Sequence, residues 1–330
     1  MRLKPALLVV GVLLGLSVFA PAVRAQQSPF VGAWNFTGTG PDTAFVYWVE
    51  IKEENGQLTG RFLNRTGNPI PLGVVKVENG ELIFQASRFD RVTNKIEPTG
   101  PEFRARLEGD RLVGRHMVRS GGRGGTPVVE REVNWAGARR PAFPASNANA
   151  AHKYGAPVVL FDGTSLDAFG VQHADRPLNW AVADGLLVNT PPSNNLVSKQ
   201  KFADFKVDLE YRLEANSNSG LYLRGRYELQ LLDDFGKPTQ ILGHAAVYGR
   251  AVPMVNASKP AGEWQQLTAV LVGDRVTVTL NGQKLHDNVA IDGITGGALD
   301  NAELTPGPIM IQGDHSKVAI RRLVVTPIVK

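Results

Sequence analysis

Residues 216–236 read NSNSGLYLRGRYELQLLDDFG, and the alternation within this run decides the class of fold. Strand side chains alternate between faces, so Leu221, Leu223, Tyr227, Leu229 and Leu231 share one side if no bulge intervenes. Tyr222, Arg224, Arg226, Glu228 and Gln230 share the other, with Leu232 and Asp234 continuing it. The earlier run KVDLEYRL repeats the pattern, setting Val207, Leu209, Tyr211 and Leu213 against Asp208, Glu210 and Arg212. Strands with one apolar and one polar face belong to an antiparallel sheet packed on a core. A solvated sheet face has the same alternation. The mixture of Tyr222 with Arg224, Glu228 and Gln230, the lack of lysine, and the polar lead-in Asn216, Asn218 and Gly220 favour a surface suited to sugar hydroxyls and ring faces.

Working outward, strands continue to the end of the chain as VVLFDG, WAVADGLLVN, WQQLTAVLVGDRVTVTLNGQKL, PIMIQG and KVAIRRLVVTPI. No constant-period repeat appears, so residues 157–330 are expected to form one large sandwich, with 318–328 inside a sheet. Towards the amino terminus, FVYWVEIKEENGQLTGRFLN, VVKVENGELIFQA and FRARLEGDRLVGRHMV are alternating runs broken by Asn-Gly or Gly-Asp. Asn55-Gly56 and Asn79-Gly80 favour left-handed hairpin turns. Residues 27–137 therefore read as a small antiparallel β-barrel or sandwich. Residues 138–156, rich in proline, alanine and asparagine, read as a partly extended linker. The glycines of RSGGRGGTP, 119–127, lack the strand-to-helix setting of a phosphate-binding loop. The expected class is all-β.

The first 25 residues have a basic start, an apolar centre and a small-residue end at Val23-Arg24-Ala25, which predicts an export signal rather than a membrane anchor. Without them the formal charge falls from +5 to +2, because Arg2, Lys4 and Arg24 are lost and no acid is. Near-neutral charge with no basic aromatic stripe argues against nucleic acid as a partner. No second segment is apolar enough to span a membrane. The expected location is periplasmic or extracellular. Absence of cysteine excludes thiolate chemistry, and there is no G-x-S-x-G elbow. His116 and His152 lack partners at zinc-ligand spacing. His244 is expected to be structural, Asp233-Asp234 to cap a turn, and His315 beside Asp314 to rim a cleft.

The carboxy-terminal region resembles the 3-keto-disaccharide hydrolase family. The signatures are LFDGTSLDAF at 160–169, W-x-V-x-DGLL at 180–187 and the 216–236 run quoted above. They continue as AAVYG at 245–249, P-x-x-NASKPAGEWQ at 253–265, VTVTLNG at 276–282 and IQGDHSKVAIRRL at 311–323. The resemblance implies a jelly roll related to concanavalin-type lectins and glucanases. The implied substrate is an oxidised saccharide, a glycoside with a ketone at C3. It leaves residues 27 to about 140 uncovered, where the hairpin pattern alone suggests a calycin-like barrel with RFLNRTG and RSGGRGG as candidate rims.

Carried onto this chain, the family-like positions are Glu210, Asn218, Arg224, Glu228, Gln230, Tyr248, Gln312, Asp314 and His315. The implied chemistry needs a base for the C2 proton, with Glu228 or His315 as candidates, and a group for the enediolate oxygen, for which Arg224 is the candidate. Asn218, Glu210, Gln230, Tyr248, Gln312 and Asp314 are the candidates for substrate binding. A divalent cation such as calcium stays open, with Glu210, Glu228 and Asp234 as candidate ligands. Ser316 stands where the family pattern often has glycine, which puts the orientation of His315 in question. Two rival readings remain: a non-catalytic carbohydrate-binding protein, and a conventional glycoside hydrolase using Glu210 and Glu228.

Overall fold

A computed structural model describes residues 27–90, 95–120 and 127–329. The expected export signal and most of the 119–127 loop lie outside the described residues. Apart from a three-residue 3-10 turn at Gly40–Asp42, every regular element described is a strand. No described helix is long and apolar enough to cross a membrane.

Eight strands form a closed antiparallel barrel: β1 (Gly32–Gly38), β2 (Val46–Glu54), β3 (Gln57–Asn64), β4 (Ile70–Glu78), β5 (Glu81–Asp90), β6 (Lys95–Glu108), β7 (Arg111–Ser120) and β8 (Val129–Arg139). The β1–β8 pairing removes the sheet edges. Asn55-Gly56 and Asn79-Gly80 take the expected left-handed geometry, with φ of 53° and 75°, and of 50° and 78°. Inward-facing rings fill the interior, with Phe36 stacked on Tyr47 at 5.0 Å and Phe84 on Phe103 at 5.1 Å. His116 belongs to this packing, stacked on Phe103 at 4.1 Å, and burial pushes its pKa down to about 4.

Two further sheets follow. Their strands are β9 (Lys153–Tyr154), β10 (Val158–Phe161), β11 (Phe169–Val171), β12 (Trp180–Ala183), β13 (Leu186–Asn189), β14 (Leu196–Phe202) and β15 (Phe205–Leu213). Then come β16 (Asn218–Leu223), β17 (Tyr227–Leu232), β18 (Trp264–Val272), β19 (Arg275–Leu280), β20 (Gln283–Ala290), β21 (Gly307–Ile311) and β22 (Val318–Val329). The back sheet runs β12-β13-β22-β15-β18-β19-β20, with β9 and β10 also on β22, and the front sheet runs β11-β14-β21-β16-β17. As expected, β22 is interior, paired with both β13 and β15. Leu209, Leu221, Leu229, Ile309 and Leu323 belong to the one apolar cluster of this sandwich.

The quoted stretch is not one strand. It is a hairpin, reversing at Arg224-Gly225, both left-handed at φ 52° and 65°, with Arg226 N donating to the Leu223 carbonyl at 3.1 Å. Pairing Leu221 with Leu229 and Tyr222 with Glu228 preserves the two faces. The apolar side enters the core and the polar side faces out of the front sheet.

Val46, Trp48 and Leu63 alternate to the outside of the barrel, where they join the apolar cluster of the sandwich. Polar contacts frame this seam. Arg250 lies 3.9 Å over Trp48 and pairs with Asp292 at 3.1 Å, while barrel Arg61 reaches Asp292 at 2.7 Å. Buried Glu303 accepts from Asn35 at 2.7 Å, Tyr227 at 2.8 Å and Arg140 at 3.1 Å. Along 138–156, β8 continues to Arg139, Arg140 is tied to Glu303, and Ala148 N donates to Asn288 at 2.8 Å. The connection therefore lies against the sandwich. Glu303→Ala leaves the largely enclosed Arg140 guanidinium without its carboxylate and is expected to lower unfolding free energy by about 3–5 kcal/mol, measured by urea denaturation.

Candidate active site

A cavity of about 570 Å³ opens between the outer face of the front sheet and the barrel. The β16–β17 hairpin supplies Asn218, Tyr222, Glu228 and Gln230, the loop after β21 supplies Gln312, Asp314 and His315, and the segment covering the free edge of β17 supplies Tyr248. That segment is held by strand-like bonds, including Tyr248 N to the Glu228 carbonyl at 3.0 Å and Ala245 N to the Gln230 carbonyl at 2.7 Å. Seven sequence-derived candidates thus meet in one place.

Glu228 is the buried acid of this group. Its backbone N–H donates to Thr295 Oγ at 2.9 Å, and Gly220 makes room for its carboxyl, since a Cβ there would collide with Oε1. With its amide oriented to satisfy both ends, Gln230 donates to Glu228 Oε1 at 3.3 Å and to the Ser219 carbonyl at 3.0 Å. Loss of hydration dominates the acid's titration. It pushes the pKa up to about 8, and Tyr222 and His315 only partly oppose the rise. Glu228 is therefore mainly neutral at pH 7.

Asp314 and His315 sit at the exposed rim, with Oδ1 and Nδ1 2.7 Å apart. This bond is the main cause of opposite shifts, downward for the carboxyl and upward for the imidazole. An ionised carboxylate accepts from Nδ1–H, so neutral His315 presents a basic Nε2. Ser316 does not adopt a left-handed backbone, and Asn189 clamps the loop through Nδ2 to the carbonyls of Gly313 at 2.9 Å and Ser316 at 3.0 Å. Glycine is not needed there. Gln312 Oε1 is buried with no hydrogen-bond partner among the described residues.

Three candidates are placed elsewhere. Arg224 lies in the hairpin turn and is buried there by bonds to the Ala203 carbonyl at 2.6 Å, the Gly273 carbonyl at 2.8 Å and Asp204 at 2.7 Å. It does not line the cavity. Glu210 is on the outward face of the back sheet, bonded to Arg321, whose guanidinium stacks on Trp264. Asp234 is buried as a local cap, accepting from His244 N at 2.9 Å and Ser258 Oγ at 3.1 Å. His244 is likewise enclosed, between Tyr211 and Ser258. Glu210, Glu228 and Asp234 therefore do not converge on a metal, and the described residues contain no other cluster of three such ligands. The Glu210–Glu228 pair is also not assembled. The two point away from each other on opposite faces of a sandwich whose sheets alone stack about 10 Å apart, beyond the roughly 5–9.5 Å of glycosidase carboxylates.

Sequence reasoning did not place His173, Arg176, Asn195 or the Gly296–Ala298 segment in the site. Tyr222 was visible on the polar face. Arg65, in the RFLNRTG loop, lines the cavity from the barrel side. Its carbonyl accepts from Gly297 N at 2.8 Å, and a Cβ on Gly296 would run into the Gly67 carbonyl.

Residues 156–326 match the family described as the 3-keto-alpha-glucoside-1,2-lyase-like domain. The chain belongs to this family. Membership makes it a carbohydrate-active protein. Among solved structures, a candidate glycosyl hydrolase from Parabacteroides distasonis ATCC 8503 is 27% identical over 52% of this chain and 84% of its own, with a TM-score of 0.46. A second such protein from that organism is 21% identical over 52% and 94%, with a TM-score of 0.45. SCLam, a non-specific endo-beta-1,3(4)-glucanase, is 11% identical over 58% and 96%, at 0.35. No curated protein matches the chain.

Proposed function

We propose that the chain cleaves the glycosidic bond of 3-keto-glycosides by elimination across C1–C2, outside the cytoplasm as the export signal suggests. The observation that carries this reading is one cavity holding an Asp314–His315 dyad and a buried neutral acid, Glu228.

His315 Nε2 takes the C2 proton, and the C–H electrons move into a C2–C3 double bond, placing negative charge on the C3 oxygen. Neutral Glu228 donates a hydrogen bond to that oxygen, the role first assigned to Arg224. A carboxyl kept protonated by a poorly hydrated site is an effective donor to an enolate. Collapse then restores the C3 carbonyl, forms C1=C2 and breaks C1–O. The leaving oxygen takes a proton, from the imidazolium or from water. Addition of water across C1=C2 would complete a net hydrolysis. Gln312 and Asn218 provide hydrogen-bonding groups for the ring hydroxyls, and Tyr248 an aromatic face. Asp314, the other acid on the described wall, is committed to His315.

The test is incubation of the protein with a 3-keto-glucoside and its unoxidised parent, followed by mass spectrometry. Cleavage of the keto sugar alone, with an unsaturated product one water lighter than the free sugar or its hydrate, is expected. Cleavage of the parent would make this an ordinary glycosidase, and binding without turnover would make it a lectin-like module.

A further inference from the structure

The barrel completes the site, and its contribution is charged. Arginines along the barrel–sandwich seam have carboxylates: Arg61 and Arg250 share Asp292, and Arg140 has Glu303. Arg131 at the barrel end holds Asp42 at 2.6 Å. Arg65 and Arg176 are different. Both line the cavity, and neither forms a direct ion pair with a described residue, although Arg65 acts at longer range on Asp42 and Arg176 on Asp314.

Arg65 is also held in place. Its backbone is left-handed at φ 63°, its carbonyl is bonded to Gly297, and its guanidinium lies 4.3 Å over the ring of Phe45, another cavity residue. A guanidinium stacked by its face keeps its N–H edge available for bidentate contact with a planar anion. Arg176 enters from the loop between β11 and β12, whose backbone is fixed by Arg176 N to the His173 carbonyl at 3.2 Å and by Asn194 Nδ2 to the Arg176 carbonyl at 3.2 Å. With Glu228 neutral and Asp314 the one ionised carboxylate on the described wall, the two cations outnumber it and leave the cavity net positive.

We infer that the cavity contains an anion subsite, in which Arg65 of the barrel, assisted by Arg176, binds a carboxylate or phosphate borne by the substrate's leaving group. The keto sugar occupies the sandwich side, where Glu228 and His315 lie, and the barrel wall is left for the substituent on C1. The reaction in this inference rests on the proposed elimination, while the anion binding rests on the cavity alone.

The test separates the two. Phenyl glucoside, 4-carboxyphenyl glucoside and phenyl glucoside with a 4-phosphate, all unoxidised, are titrated calorimetrically into the full chain, so binding is read without turnover. An anionic ligand is expected to bind about tenfold tighter than the neutral one at low salt, with the advantage shrinking at high salt. Comparing carboxylate with phosphate identifies the anion. Arg65→Met should remove most of the preference, Arg65→Lys should retain part of it, and Arg176→Gln should reduce it. Retention of the fold is checked by thermal melting, and if R65M is unfolded, R65K and R176Q still decide. Equal affinity for neutral and anionic ligands, or a preference untouched in all three variants, overturns the subsite. The matching 3-keto substrates should show the same preference in kcat/KM. If they are not cleaved while the Arg65-dependent binding preference persists, the elimination reading fails and the subsite stands.

Discussion

In a pH series of kcat/KM on a 3-keto-glucoside, the protein is expected to trace a bell with its alkaline side near pH 8, and Glu228→Gln to lose that side alone. The acidic limb reports His315, which must shed its proton to act as base. Its bond to Asp314 raises its pKa, so this limb lies above the ordinary imidazole value of 6.5. The alkaline limb reports Glu228, whose hydrogen-bond donor disappears as it ionises through about 8. Glutamine keeps an N–H donor and cannot titrate, so E228Q should retain activity reduced by about 10–100-fold, with a flat alkaline side. His315→Gln removes the base and should cost about 10²–10⁴-fold. Asp314→Asn should also be severe, because the imidazole loses its orientation and tautomer preference. If Glu228 were instead the base, activity would rise through pH 8 and E228Q would be inactive. The two assignments predict opposite slopes.

Alternation made much of this site legible. It put Asn218, Tyr222, Glu228 and Gln230 on one face, and that face survives because the hairpin pairs Tyr222 with Glu228 and Gly220 with Gln230. The same rule misplaced Arg224, since a period of two carries no mark of a reversal. The available mark was Gly225 inside the run, a signal for a turn or bulge. Glu210 fails for a different reason. Alternation separates the core side from the outer side, but a sandwich has two outer sides, and the pattern does not say to which sheet a strand belongs. Val46 and Trp48 have the alternation of a barrel's solvent face, although they are buried against the sandwich. Arg65 depends on that docking as well, because over a hundred residues separate it from the hairpin it faces. Local pattern specified the strands and their polar residues, while the shared cavity required knowing which surfaces meet.

The buried acid should also be measurable as a cost to folding. The ordinary glutamate value is 4.5, and the folded value is about 8. A carboxyl with a raised native pKa favours the folded state fully below its unfolded value, and this benefit is lost as pH rises through the folded value. Above about pH 8 the native protein must either hold an ionised group in a poorly hydrated pocket or keep a proton that the unfolded chain releases. The shift corresponds to a penalty on the order of 4–5 kcal/mol relative to a non-titrating side chain. E228Q is therefore expected to gain stability over the unsubstituted protein as pH rises from 5 to 9, with little difference added by pH below about 4.5. Urea denaturation of both proteins at pH 5, 7 and 9 measures it. The subtraction cancels shared titrations, such as those of His116 and His286, both lowered by burial. A stability gap that does not widen with pH would mean that Glu228 is ionised in the folded protein, and the donor role would fall with it. A widening gap would tie the cost in folding to the proton needed at the C3 oxygen, so that E228Q becomes the more stable and the less active protein.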